Sequence, residues 1–136
     1  MQRTARCHCG AVTVEVRGDP QFTFMCHCEF CQRRTGTSYH LDAWFARDAA
    51  TVGGETRTYT RTGDRGDSLV FHFCPTCGSN VYFYLPAVLP DMIGVAVGCF
   101  ADPDFPAPQV SLYEQRRHRW VEVPAGTVRH ARGVTL

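Results

Sequence analysis

Residues Leu69 to Leu85 read LVFHFCPTCGSNVYFYL. An apolar run, Leu69–Phe73, meets a second, Asn80–Leu85, across Cys74-Pro75-Thr76-Cys77-Gly78-Ser79. Both runs are rich in the aromatic and β-branched residues that favour strands. The link between them is a Cys-x2-Cys turn closed by Gly, which permits the left-handed backbone of a tight turn. This reads as a zinc knuckle, in which backbone N–H groups face the sulfurs and stabilise their charge. The stretch predicts two strands joined by a metal-binding turn.

Six further cysteines lie outside this stretch, as Cys7-x-Cys9, Cys26-x-Cys28-x2-Cys31 and a lone Cys99. Gly10 follows Cys9 as Gly78 follows Cys77. A Cys-x-Cys pair in extended backbone points both thiols to one side. Zinc takes four thiolate or imidazole ligands in closed structural sites, and three plus an open position in catalytic ones. Seven clustered cysteines therefore divide into four and three without splitting a pair. Cys7, Cys9, Cys74 and Cys77 form the closed set, and Cys26, Cys28 and Cys31 the open one. The rival division adds one distant Cys to the triplet and leaves a second site incomplete. The triplet itself has two readings: an open site that activates water or a thiol, or a structural site completed by His27, His40 or Cys99. His27 fits least, since the middle residue of an extended Cys-x-Cys points away from its neighbours.

Outward from the cysteines, strand patterns cover Ala11–Arg17, Ser38–Ala46, Arg57–Arg61 and Ile93–Phe100, with shorter ones at Leu112–Glu114 and Trp120–Val123. Turn signals separate them at Gly18-Asp19-Pro20, Gly53-Gly54, Gly63–Gly66 and the Pro-rich Asp102–Pro108. The one helical candidate is a turn or two after Glu29, ended by Gly36. No linker or fixed-period repeat interrupts the 136 residues. The expectation is a mainly β chain forming a single domain over residues 1–136, with at most one short helix.

Composition narrows the function classes. The 14 basic residues are all Arg and stand against 13 acids, for a formal charge of +1. Near-neutrality argues against a nucleic-acid partner and a polybasic membrane anchor. No run approaches the length of a membrane span, and no apolar segment follows the first basic residues as in a secretory signal. A reducing cytoplasm is expected, where clustered cysteines bind metal more often than they pair. No dinucleotide fingerprint, phosphate loop or Ser-His-Asp order is present.

Several side chains remain to be placed. Arg33 and Arg34, directly after the triplet, suit the carboxylates of a small anionic ligand. Arg116-Arg117-His118-Arg119 reads as a solvated run. His40 and His72 read as strand histidines, Asp102 and Asp104 as loop residues, and Cys99 as a buried core thiol.

The pattern Cys-x-Cys-Gly, then Cys-His-Cys-x2-Cys with Thr35-Gly36, then Phe-Cys-x2-Cys-Gly-Ser resembles the glutathione-dependent formaldehyde-activating enzymes, a group also named for centromere protein V. Gly54 with Tyr59, Gly94 to Gly98 before an Asp-Pro loop, and Trp120-Val121 add to it. The resemblance runs from Cys7 to Trp120. It implies a β-tent of stacked short antiparallel sheets and two zinc ions, one at Cys7, Cys9, Cys74 and Cys77, the other at Cys26, Cys28 and Cys31. It implies a carbon–sulfur lyase that condenses glutathione with formaldehyde to S-hydroxymethylglutathione. Cys99 departs from the family pattern, which has a small or hydroxyl residue there. The expected partners are a thiol such as glutathione and a small aldehyde, with exposed strand edges as surfaces for a homodimer. The alternative is a zinc-stabilised binding module with both metal sites structural.

Overall fold

Alternation of apolar and polar side chains builds this fold around two sheets. The computed structural model describes residues 1–134. Strands β1 (Gln2–Arg6), β2 (Thr13–Arg17) and β5 (Ala50–Gly53) form a three-stranded sheet in the order β1-β2-β5. The larger sheet has eight strands: β3 (Phe22–Cys26), β4 (His40–Ala46), β6 (Arg57–Thr62), β7 (Ser68–Phe73), β8 (Asn80–Tyr84), β9 (Met92–Ala96), β10 (Val110–Leu112) and β11 (Val128–Arg129). Their order is β11-β10-β3-β4-β9-β8-β7-β6. Helix α1 (Glu29–Thr35) is the one α-helix among the described residues. It starts at Cys28, whose sulfur accepts the Cys31 N–H, and stops at Gly36, whose left-handed backbone (φ 73°) caps it.

The large sheet uses its two faces differently. Ala43, Phe45, Val81, Ile93 and Val95 pack with Ala5, Val14 and Val16 of the small sheet, and with Val12 just before β2, in one buried cluster. Val14 and Val16 alternate with exposed Glu15 and Arg17 along β2, as the sequence pattern predicts. On the other face Phe24, Trp44, Phe71 and Phe83 form a second, aromatic cluster. That cluster is close-packed around Gly94: a Cβ there would lie 2.9 Å from both Phe83 and Trp44.

The architecture is mainly β with one short helix, as predicted, but not antiparallel throughout. Strand β10 runs parallel to both β3 and β11. Parallel neighbours need long crossovers: α1 and strands β4 to β9 intervene between β3 and β10, and segment 113–127 joins β10 to β11. Three predicted strands also differ. Leu112–Glu114 shares only Leu112 with β10, and Glu114 begins a 3-10 turn, Glu114–Arg116. Ile93–Phe100 leaves the sheet at Ala96 and continues as a 3-10 turn, Val97–Phe100. Trp120–Val123 is not a strand, and Trp120 stands 73% exposed.

Candidate metal centre and reaction cavity

The two cysteine sets predicted from spacing are the two sets the fold assembles. Sγ atoms of Cys7, Cys9, Cys74 and Cys77 all lie within 4.8 Å of one another, and so do those of Cys26, Cys28 and Cys31. All eight cysteines are free thiols. The Cys7–Cys9 and Cys9–Cys74 sulfurs stand 3.6 Å apart, far beyond the roughly 2.05 Å of a disulfide.

The four-Cys cluster is built from two turns of matching design. In one, Cys7 N–H donates to Val12 O, Gly10 N–H donates to Cys7 O, and Gly10 takes φ 85°. In the other, Cys74 N–H donates to Ser79 O, Gly78 N–H donates to Cys74 O, and Gly78 takes φ 78°. Backbone polarity points at the sulfurs: Val12 N–H donates to Cys7 Sγ at 3.2 Å. Ser79 Oγ accepts His8 N–H at 3.1 Å and lies 3.3 Å from Cys77 Sγ, so it links the two turns. That contact, with backbone N–H groups of Cys9 and Ser79, holds the Cys77 thiol down at about 5. Four converging sulfurs, served by backbone donors, fit a closed metal site.

The three-Cys cluster sits where β3 passes into α1. Cys26 ends the strand, Cys28 caps the helix, and Cys31 lies in its first turn, with its N–H 3.3 Å from Cys28 Sγ. Contact with the Cys26 thiol, then the Cys31 thiol, favours the Cys28 thiolate and pushes its pKa down to about 2. The same contact with Cys28, then Cys31, pushes Cys26 far up. Three sulfurs this close ionise together only beside a cation, so the donor set fits a metal ion.

None of the three candidate fourth ligands joins this cluster. His27 is fully buried and turns to the opposite side, where Nε2 lies 2.9 Å from Ser111 Oγ. Cys99 is half-buried rather than core, because the strand pattern breaks at Ala96; it packs at the edge of the inter-sheet cluster and contacts Asn80 O at 3.4 Å. His40 is buried on β4 opposite Cys26, but among the described residues no His, Asp, Glu or further Cys atom lies within 4.8 Å of all three sulfurs.

The triplet opens instead on a cavity of about 630 Å³. Its floor is the aromatic face of the large sheet, with Phe24, Trp44, Phe71 and Phe83. His40 and Asp42 of β4 also line the cavity, opposite Cys26 and Phe24 of β3 respectively. Burial, then the Arg34 charge, holds His40 neutral by lowering its pKa to about 3. Burial raises Asp42 to about 7, against the opposing hydrogen bond from Trp44 and the charge of Arg34. Arg61, Arg116 and Arg132 line the walls with Tyr113.

The two arginines after the triplet part company. Arg34 lines the cavity, its guanidinium 4.2 Å from the Phe71 ring centroid and 5.9 Å from that of Phe83. Arg33 points out, 76% exposed at its side chain, and pairs with Glu29 at 3.2 Å. The Arg116–Arg119 run is solvent-exposed as expected, save half-buried Arg117, but its backbone is docked on α1. Gln32 of α1 donates to Arg116 O at 3.1 Å and to His27 O at 2.8 Å, and its Oε1 meets His118 Nε2 at 2.8 Å. Arg117 is fixed by Glu114 and by Val121 O. This docking brings Arg116 to the cavity wall. His72 is a satisfied strand histidine, 2.8 Å from Thr56 and stacked on Tyr82. Asp102 accepts Asp104 N–H in a turn.

Sequence reasoning missed Asp42, Trp44, Arg61, Tyr113 and Arg132. The register of β4 against β3 carried a usable signal: His40, Asp42 and Trp44 alternate on the face that holds Cys26.

The family model described as "Glutathione-dependent formaldehyde-activating enzyme" matches residues 2–116. The fold is also similar to a crystal structure of a Rhodobacter sphaeroides protein. That protein is 29% identical, with a TM-score of 0.56 over 74% of this chain and 91% of its own.

Proposed function

The chain belongs to the glutathione-dependent formaldehyde-activating enzyme family, and on that premise we propose that it joins a glutathione-type thiol to formaldehyde or a related small aldehyde, as a zinc-dependent carbon–sulfur lyase. One observation carries the reading: three thiols without a fourth protein ligand open on a cavity large enough for a small peptide-like molecule. Zinc is the ion that two all-sulfur donor sets suit best. Held by Cys26, Cys28 and Cys31, it would supply the Lewis acidity that favours the thiolate of an incoming thiol.

The chain's own residues do the rest. Arg34, clamped over Phe71, presents a fixed guanidinium fork to a substrate carboxylate. Arg61, Arg116 and Arg132 add further guanidiniums to walls that also carry Glu29, Asp64 and Asp67, a mixed lining that suits a thiol bearing both carboxylates and an amine. The aromatic floor excludes water from the reacting atoms. Arg33 is not among the residues that line the cavity and pairs with Glu29 at the surface, so of the two arginines Arg34 is the one placed to bind. The closed set, Cys7, Cys9, Cys74 and Cys77, is structural and ties the N-terminal turn to the β7–β8 hairpin. Eight free thiols suit a reducing, cytoplasmic setting. No helix among the described residues is long and apolar enough to cross a membrane. The purely structural alternative needs a protein ligand at the triplet; His27 and Cys99 are placed away from it, and His40, opposite Cys26, lies outside the cluster as it stands.

The test is calorimetric titration of glutathione, with and without formaldehyde, into protein assayed to hold two zinc ions. Binding that strengthens or turns over with the aldehyde is expected. No glutathione binding in the two-zinc protein overturns the substrate assignment.

A further inference from the structure

Asp42 is a carboxyl group in the reaction cavity that the account above does not use. Strands β3 and β4 pair Cys26 with His40, Phe24 with Asp42 and Phe22 with Trp44. Residues directly opposite share a face, and side chains repeat every second residue. Cys26, His40, Asp42 and Trp44 therefore rise from one face in a row, with Asp42 about 7 Å along the strand from the Cys26–His40 pair. All four line the cavity. Asp42 is 6% exposed, and one of its oxygens, Oδ2, accepts the Trp44 indole N–H at 2.6 Å.

We propose that Asp42 is the general acid of the reaction, the group that gives a proton to the aldehyde oxygen as the carbon–sulfur bond forms. The inference rests on the thiol-and-aldehyde reading above. As the thiolate sulfur's lone pair forms the bond to the carbonyl carbon, the π pair of the C=O bond moves onto oxygen. That oxygen takes the Asp42 proton and becomes the product hydroxyl. The proton released when the thiol ionised returns, through water, to the carboxylate. The sum is thiol plus aldehyde giving hydroxymethyl thioether, with nothing oxidised or reduced. In the reverse direction the Asp42 carboxylate takes the hydroxyl proton as the bond breaks.

The surroundings suit an acid that works near neutrality. Burial raises Asp42 to about 7, so an appreciable fraction keeps its proton at neutral pH. The groups that face it oppose one another. Arg34 from α1 and the Trp44 N–H favour the carboxylate; Cys28, at the start of α1, disfavours it. On β4 itself, His40 is the neighbour two residues away, and it is neutral. The Trp44 bond fixes one carboxyl oxygen and leaves the other to reach the substrate.

The experiment uses the two-zinc protein with glutathione and formaldehyde, and reads exchange between thiol and adduct by NMR. Asp42→Asn keeps an oxygen for the indole N–H and removes the acid. Its kcat is expected to fall about 100-fold or more, with zinc content and glutathione affinity unchanged. Trp44→Phe, which takes away a bond that stabilises the carboxylate, is expected to move the alkaline limb of the kcat profile to higher pH. Independently of turnover, infrared difference spectra below neutral pH are expected to show a protonated carboxyl band that Asp42→Asn lacks. An Asp42→Asn protein with wild-type kcat overturns the proposal, and so does one whose loss is entirely in glutathione affinity. A wild type that binds glutathione but turns over no aldehyde overturns the reading beneath it as well, a pattern separable from the first two.

Discussion

Replacing Arg34 by Met, beside the control Arg33→Met, asks which guanidinium the substrate meets. The two residues are adjacent in sequence and equal in charge, so any sequence-level argument treats them alike. The structure does not. Arg34 lies in the cavity over two aromatic rings, where a carboxylate–guanidinium contact is partly shielded from water. A hydrogen bond to a charged group contributes about 1.5–3 kcal/mol, and every ~1.4 kcal/mol is tenfold in affinity. Arg34→Met should therefore weaken glutathione binding about 10- to 150-fold. Met fills the space against Phe71, so the fold loses only the cation–π term, about 0.5–2 kcal/mol. Arg33 gives up an exposed i,i+4 pair with Glu29, of about 0.3–0.5 kcal/mol. Its removal should change the glutathione Kd by no more than about twofold. Calorimetry on both variants, with glutathione and with its neutral diester, isolates the charge. The Arg34 effect should vanish for the diester. Equal losses in the two variants, or an Arg34 loss that persists for the diester, would refute the assignment.

Other consequences are independent of the substrate. Gly54 takes φ 90°, and a Cβ there would lie 1.9 Å from Ala11 O. Gly54→Ala combines a left-handed L-residue with a backbone clash, each a matter of about 1–3 kcal/mol; the melting temperature should drop by roughly 10 °C or more. Arg129, by its hydrogen bonds, holds the Glu114 carboxylate at about 2, below its ordinary 4.5. A depressed carboxylate contributes stability that is complete above about pH 4.5 and is lost as pH falls toward about 2. Unfolding followed across that window should show the loss in the wild type and its absence in Glu114→Gln. Ser79→Ala removes the hydroxyl that joins the two turns of the closed cluster. Competition against a chelator should show metal affinity there reduced about 10- to 100-fold, with the triplet's affinity unaltered.

What was legible in the sequence follows the reach of each signal. Cysteine spacing is local within each pair, and counting to four and three paired the remote turns at Cys7 and Cys74 correctly. The β7–β8 hairpin and the helix ended by Gly36 were legible for the same reason: turn chemistry is written in adjacent residues. Strand β1, QRTAR, escaped because it buries little beyond Ala5, and β3, FTFMC, because it is buried in a continuous run without alternation. The cavity was illegible for a different reason. Asp42 meets the cysteines only through the β3–β4 register, and Arg116 and Arg132 reach it only after the C-terminal segment folds over α1. The parallel placement of β10 is likewise a tertiary outcome, set across long connections rather than by any local periodic signal.

X-ray absorption at the zinc edge tests the central claim, an open three-thiol site that accepts a substrate thiol, most directly. Two-zinc protein alone should show about 3.5 sulfurs per zinc, the mean of a four-thiolate and a three-thiolate site. Saturating glutathione should raise this toward four, and Arg34→Met should demand more glutathione for the same rise. Four sulfurs per zinc before glutathione is added, or a value that glutathione leaves unchanged, would contradict the account.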